Sequence, residues 1–201
     1  LVPNHVYERN ERYTGRASDD AFYPPGCVCG TASCPWGEFI QTCWFTPYLP
    51  DVRWEYPGAL ELAASDALFF RDRFELDGFR VDAVPMMPRA TSRYLARALR
   101  TSQHPRDKTF LLGEVFTGPG IGNLGQLGYF LGPDTLDSVF DFPLMWAARE
   151  AIATGSRGFV ELDAVLAAGD ETFAGSGATM AHMLSNHDVP RFLSTAVGDA
   201  F

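Results

Sequence analysis

The sequence has 201 residues, 46% hydrophobic, 13% aromatic and 20% charged, with 16 basic against 25 acidic side chains and a formal net charge of -9. This is a globular composition, and its acidic excess argues against a phosphate-binding surface, so nucleic acid is not expected as a partner. No apolar run reaches the roughly 18 residues of a membrane span, and no charged-then-apolar leader is visible.

The chain opens without Met on the strand-like run Leu1-Val2-Pro3-Asn4-His5-Val6 and stops at Phe201 just after a loop, so both ends are expected to be cuts through a larger fold. Residues 11–50 carry Pro24, Pro25, Pro35, Pro47, Pro50, all four cysteines, Trp36 and Trp44, with no sustained helical period. They are expected to form an irregular, cross-linked insertion. Cys27, Cys29, Cys34 and Cys43 fit either two disulfides or a four-thiolate zinc site. The single residue between Cys27 and Cys29 is shorter than the usual zinc-knuckle gap. It favours disulfides, and with them a secreted or periplasmic location.

From Gly58 the pattern changes. Leu60, Ala63, Ala64, Ala67 and Leu68 recur at helical spacing and continue through residues 70–74, predicting an amphipathic helix that ends before Leu76-Asp77-Gly78. A strand is predicted over residues 78–82. A helix opened by Pro88 follows, with Tyr94, Leu95, Ala98 and Leu99 on one face, and then a strand over residues 109–114. Gly118, Gly120 and Gly122 lack dinucleotide spacing and are read as a flexible loop. Beyond it the spacing predicts a strand at 138–142, helices at 143–153 and 159–168, and a strand at 179–184. Helices alternating with short apolar strands indicate a parallel α/β sheet.

Asp82, Glu114 and Asp188 each stand at or just past the C-terminal end of a predicted strand, the rim where a β/α barrel collects its catalytic groups. Arg80 precedes Asp82 by two residues and so shares its strand face, which suits an ionised nucleophile. Glu114 follows an apolar run, where partial desolvation would keep a proton available, as a general acid needs. Asp188 lies in the polar stretch Ser185-Asn186-His187-Asp188 that follows the apolar strand.

Phe79-Arg80-Val81-Asp82-Ala83-Val84, Gly113-Glu114-Val115-Phe116-Thr117-Gly118 and Asn186-His187-Asp188-Val189-Pro190-Arg191 resemble, in order, three signature regions of the alpha-amylase family of glycoside hydrolases. Val2-Pro3-Asn4-His5-Val6 resembles the family's first region, and Leu49-Pro50-Asp51-Val52 is similar to the motif that closes its inserted domain. The resemblance implies an incomplete (β/α)8 TIM barrel, about strands 3 to 7, at residues 1–10 and 51–201, with a small irregular inserted domain at 11–50. A full barrel takes about 250 residues, so 201 would leave the first, second and eighth strands absent.

The resemblance further implies retaining hydrolysis of α-glucosidic bonds in an α-glucan or oligosaccharide substrate. Asp82 would be the nucleophile, Glu114 the acid/base and Asp188 the carboxylate that stabilises the transition state. Arg80 would orient Asp82, and His5 and His187 would hydrogen-bond the sugar. Asn4, Asp51 and the carbonyl of Met86 would match a calcium site found in many amylases. Two departures stand out: Pro85-Met86 replaces the Lys-His of starch-acting members, and Leu49-Pro50-Asp51-Val52-Arg53-Trp54 also resembles the α-glucosidase branch. A transglycosylase of the family, a non-catalytic binding module and a zinc-dependent hydrolase using the four cysteines are the alternatives. Among the aromatics Trp36, Trp44, Trp54, Phe116 and Trp146, the candidates for a sugar platform are Trp44 and Phe116.

Overall fold

The computed structural model describes residues 1–15, 20–29, 31, 34–101 and 109–197. The chain end at Phe201 and the side chain of Trp36 lie outside the described residues. Two compact units are present, Leu1–Glu114 and Val115–Phe201.

In the first unit, residues 1–6 do not form the regular strand that their apolar character predicts. Leu1 does lie along a neighbouring strand as a parallel partner would, its amino group donating to Arg80 O at 2.8 Å and its carbonyl accepting from Asp82 N at 3.0 Å. Pro3 then interrupts, because it has no N–H to continue a ladder. The run instead closes one antiparallel bridge, His5 to Asp51, through Val6 N to Pro50 O and Val52 N to Asn4 O. Residues 11–50 contain two single-turn helices, α1 (Glu11–Thr14) and α2 (Trp36–Phe39), and isolated bridges such as Val28 to Trp44.

Helix α3 (Ala59–Phe74) ends where Glu75 takes a left-handed conformation and returns its N–H to Arg71 O. Its buried face differs from the expected one. Ala59, Ala64, Ala67 and Arg71 are buried, whereas Phe70 and Phe74 face solvent. Small alanines let α3 approach α4 (Arg89–Thr101), and the fully buried Arg71 side chain reaches it, its Nη1 donating to Leu99 O at 2.7 Å. Strand β1 (Gly78–Val81), α4 and β2 (Phe110–Gly113) make a β-α-β unit, with β1 and β2 parallel in the register Gly78 to Phe110 and Val81 to Gly113. Gly78 is required at the ladder's start: a Cβ there would drive into the backbone carbonyl of Phe110.

In the second unit the Gly118 loop is more ordered than expected. Asn123 Nδ2 donates to Gly118 O and Pro119 O, and the chain passes through a 3-10 turn into α5 (Leu124–Phe130), a helix the periodicity did not reveal. The strand expected at 138–142 is shorter, because Asp141 leaves it to cap the next helix by accepting from Leu144 N at 3.0 Å. Thus β3 (Ser138–Val139) runs into α6 (Phe142–Ala148), which continues as a π turn over Arg149–Ala153. Residues 179–184 likewise form no regular strand. Among the described residues they pair through Thr179 N to Asp137 O, Ala181 N to Val139 O and Asp141 N to Ala181 O, and pairing stops where the partner becomes helical. Helix α7 (Phe159–Phe173) extends one turn beyond the predicted end at Ala168, with Gly169 buried, and α8 (Phe192–Val197) follows the Asp188 loop.

Candidate active site

The parallel register of β1 and β2 carries Asp82 and Glu114 to the same end of the ladder, each one residue past its strand. Glu114 N donates to Val81 O at 2.8 Å and Val84 N to Glu114 O at 3.1 Å, so the backbone holds the two segments together beyond the last paired residues. Arg80 does more than orient Asp82. Its Nη1 donates to Asp82 Oδ1 and its Nη2 to Glu114 Oε1, so one guanidinium bridges both carboxylates. Charge-assisted bonds of this kind fix geometry as well as energy. Glu114 is buried, as its apolar approach predicts, and its Oε2 also accepts from Ala83 N at 3.2 Å. That bond depends on Ala83 having φ 48°, a left-handed conformation costing a non-glycine residue about 1 kcal/mol.

Around this pair, Asn4 and His5 are placed by the bridge to Asp51. His5 Nδ1 lies 2.9 Å from Asn4 Oδ1, and the His5 ring stacks on Phe45 at 5.9 Å between centroids. Burial lowers the His5 pKa and the nearby Asp82 charge opposes it, which places the imidazole in the field of that carboxylate. Asn4 Nδ2 donates to Met86 O at 3.1 Å. Gln41, which sequence reasoning missed, donates to the carbonyls on either side, Pro85 O at 3.3 Å and Met87 O at 3.2 Å. No local sequence signal marks it, because its partners are backbone groups some forty residues away.

The same neighbourhood holds one buried oxygen that would suit a hard cation. Asp51 is almost fully buried, its Oδ1 accepts from Phe45 N at 3.3 Å, and its Oδ2 has no hydrogen-bond partner among the described residues. Burial pushes the Asp51 carboxyl up to about 7, against the bonds from Phe45 N and the Asn4 side chain, which lower it. Asn4 Oδ1 and Met86 O are the other oxygens expected at a calcium site, and in this structure each already has a hydrogen-bond partner, His5 Nδ1 and Asn4 Nδ2 respectively.

The cysteines correct one expectation. Cys27 and Cys43 form a disulfide, but Cys29 and Cys34 are thiols with sulfurs 3.2 Å apart, so one disulfide is present instead of two. Trp44 is not a sugar platform. It is buried, its Nε1 donates to Tyr23 O at 2.7 Å, and Tyr13 packs edge-on against it. Trp54 is buried too, and Trp146 donates to Thr117 O. Phe116 remains half exposed against Phe142, and Phe45 beside His5 is an exposed ring that the sequence reading passed over.

In the second unit, Asp188 and His187 are exposed, with His187 Nε2 3.3 Å from Asp188 Oδ2. Asn186 turns the loop by accepting from Asp188 N at 3.0 Å. Buried Arg149, from the π turn, ties the loop at both ends: its Nη1 donates to Leu184 O at 3.2 Å and Pro190 O at 2.9 Å, and its Nη2 to Thr195 Oγ1. Arg149 was also missed, although an arginine inside the apolar stretch from Phe140 to Ile152 was a visible anomaly.

No family model matches the sequence, and no curated protein matches it. Solved structures do. An alpha-amylase from Anoxybacillus matches with TM-score 0.80 and 22% identity over 99% of this chain and 41% of its own. An alpha-amylase from Geobacillus thermoleovorans, solved with acarbose, matches with TM-score 0.77 and 24% identity over 98% and 41%. A cyclomaltodextrin glucanotransferase with a three-domain ABC distribution matches with TM-score 0.79 and 22% identity over 99% and 42%. The chain spans about two fifths of the structures it matches, and across that span it has the fold of alpha-amylase family structures.

Proposed function

We propose that the chain is a central piece of the catalytic barrel of a retaining glycoside hydrolase, acting on α-glucosidic bonds of starch-like α-glucans or maltooligosaccharides. The observation that carries this reading is the Arg80 guanidinium shared by Asp82 and Glu114 at one end of a parallel strand pair. Glu114 protonates the glycosidic oxygen as the bond to the anomeric carbon breaks, and Asp82 forms a covalent bond to that carbon. Glu114, now a carboxylate, takes a proton from water, whose oxygen attacks the same carbon and releases Asp82. A retaining pair of this kind works at roughly 5 to 5.5 Å. Asp188 supports the developing positive charge, and His5 and His187 hold sugar hydroxyls. Residues 11–50 form the inserted domain.

The test is turnover of maltooligosaccharides by the protein containing this chain. Asp82→Asn and Glu114→Gln are each expected to lower kcat by at least about 1,000-fold with thermal unfolding little changed. Near-normal rates in either variant would overturn the role given to that residue. The likeness to a glucanotransferase favours a second reading, transfer to a sugar acceptor in place of water. Products longer than the substrate at high acceptor concentration would establish it, and their absence would exclude it. Calcium, held by Asn4, Asp51 and Met86 O, would brace the site without taking part in bond breaking. Added at 100 times its dissociation constant it is expected to stabilise the protein by about 2.7 kcal/mol, an effect that Asp51→Asn should abolish.

A further inference from the structure

The four cysteines converge from three stretches of chain on one sulfur cluster. Cys29 N donates to Trp44 O at 2.8 Å and Trp44 N to Cys27 O at 3.0 Å, so residues 27–29 are extended at that point. Cys27 and Cys29, two apart on extended backbone, face the same side. Cys43 adjoins Trp44, with its N–H bonded to Phe39 O, and Cys34 N is bonded to Thr31 O. The sulfurs of Cys27, Cys34 and Cys43 all lie within 4.8 Å of one another, and Cys29 Sγ stands 3.2 Å from Cys34 Sγ. Zinc bound tetrahedrally at about 2.3 Å needs sulfurs about 3.8 Å apart, so Cys27, Cys34 and Cys43 are already grouped closely enough, and Cys29, which adjoins Cys34, would complete the set by a shift of its side chain.

We propose that this cluster is a site for a soft divalent cation of the zinc class, bound by all four cysteines when the Cys27–Cys43 disulfide is reduced. Cys29, Cys34 and Cys43 are buried, so their thiolates lack water to stabilise them. A divalent cation supplies the missing compensation and drives the protons off. A thiol or phosphine reductant first delivers two electrons to the disulfide, and two protons from the thiol reductant or from water complete two thiols. One metal ion then displaces four protons from four thiols and leaves a site of net charge two negative. The segment is thereby cross-linked in either redox state: by a disulfide under oxidising conditions and by a metal ion under reducing ones. This role is independent of the carboxylates and of the hydrolytic reading.

The experiment is cobalt titration of the full chain, reduced with a phosphine under argon, with circular dichroism recorded throughout. Saturation at one equivalent is expected, with the near-ultraviolet sulfur-to-cobalt band, the strong visible bands of a tetrahedral thiolate site, and displacement by zinc. Cys34→Ser should weaken binding at least about 100-fold. If that variant does not fold, Cys29→Ser is read in the same way, and the wild-type titration stands without either. Absence of the thiolate bands at one equivalent in the wild type, or an unchanged spectrum in the serine variants, would overturn the proposal.

Discussion

The carboxylates of the two units look alike in sequence, each at the end of an apolar run, yet they are held by different physics. Asp82 and Glu114 sit on adjacent strands whose ladder continues past them, and one guanidinium ties their oxygens together. Asp188 rides on a loop, exposed, with His187 Nε2 and Asn186 Nδ2 beside its carboxylate. Its order comes from the loop ends, where Arg149 grips Leu184 O and Pro190 O. Under the roles proposed above, a pair that must keep a fixed separation is held at paired strand ends, whereas a group whose partner would be a substrate is carried on a tethered loop.

The largest break in this comparison should come from Gly78→Ala. A Cβ there meets the Phe110 carbonyl, so β1 and β2 must separate at the start of their ladder. Denaturant unfolding is expected to show a loss of about 3 kcal/mol, and slowed turnover should accompany it if the ladder sets the spacing of the pair. Arg149→Ala is expected to cost somewhat less, about 2 kcal/mol, because two carbonyls and a hydroxyl lose a charged donor. Hydrogen exchange should then speed at residues 186–191 while the β1 and β2 amides keep their protection. Faster exchange in both places would mean that the two regions are not held separately.

The smallest effect concerns Asp141, which caps α6 from a buried position. Burial raises its pKa, against the pull of Leu144 N–H and His182. A carboxyl raised on folding adds stability that is full below its unfolded value near 3.8 and is lost as pH rises through the folded value. Asp141→Asn keeps a capping oxygen but has no charge to bury. Its stability should therefore fall less than that of the wild type as pH rises above about 4, in thermal melts at several pH values.

Helices α3, α4 and α6 were legible because amphipathic spacing is a local property, and each begins within one residue of its predicted start. What each face meets was not, so Arg71 proves buried where Phe70 and Phe74 were expected. The runs at 1–6 and 179–184 have strand composition, but a strand exists only where a partner continues, and Pro3 and the cap at Asp141 end those pairings. Asp82 and Glu114 could be located from strand ends, whereas Arg80's second bond, to Glu114, needed the register. The clustering of the cysteines was visible and their pairing was not, because pairing depends on which sulfurs the turns bring together. Trp44 and Phe45 are neighbours with opposite fates, and only the packing decides which ring faces inward.

The central claim, that Asp82 and Glu114 are a nucleophile and acid/base pair held by Arg80, is tested most directly by trapping the covalent intermediate. The protein containing this chain would be treated with a 5-fluoro-α-glucosyl fluoride, digested and mapped by mass spectrometry. The account predicts one adduct on the carboxylate of Asp82, formed in the wild type and absent in Asp82→Asn. An adduct on Glu114 or Asp188, or turnover that proceeds with inversion and no adduct, would contradict it.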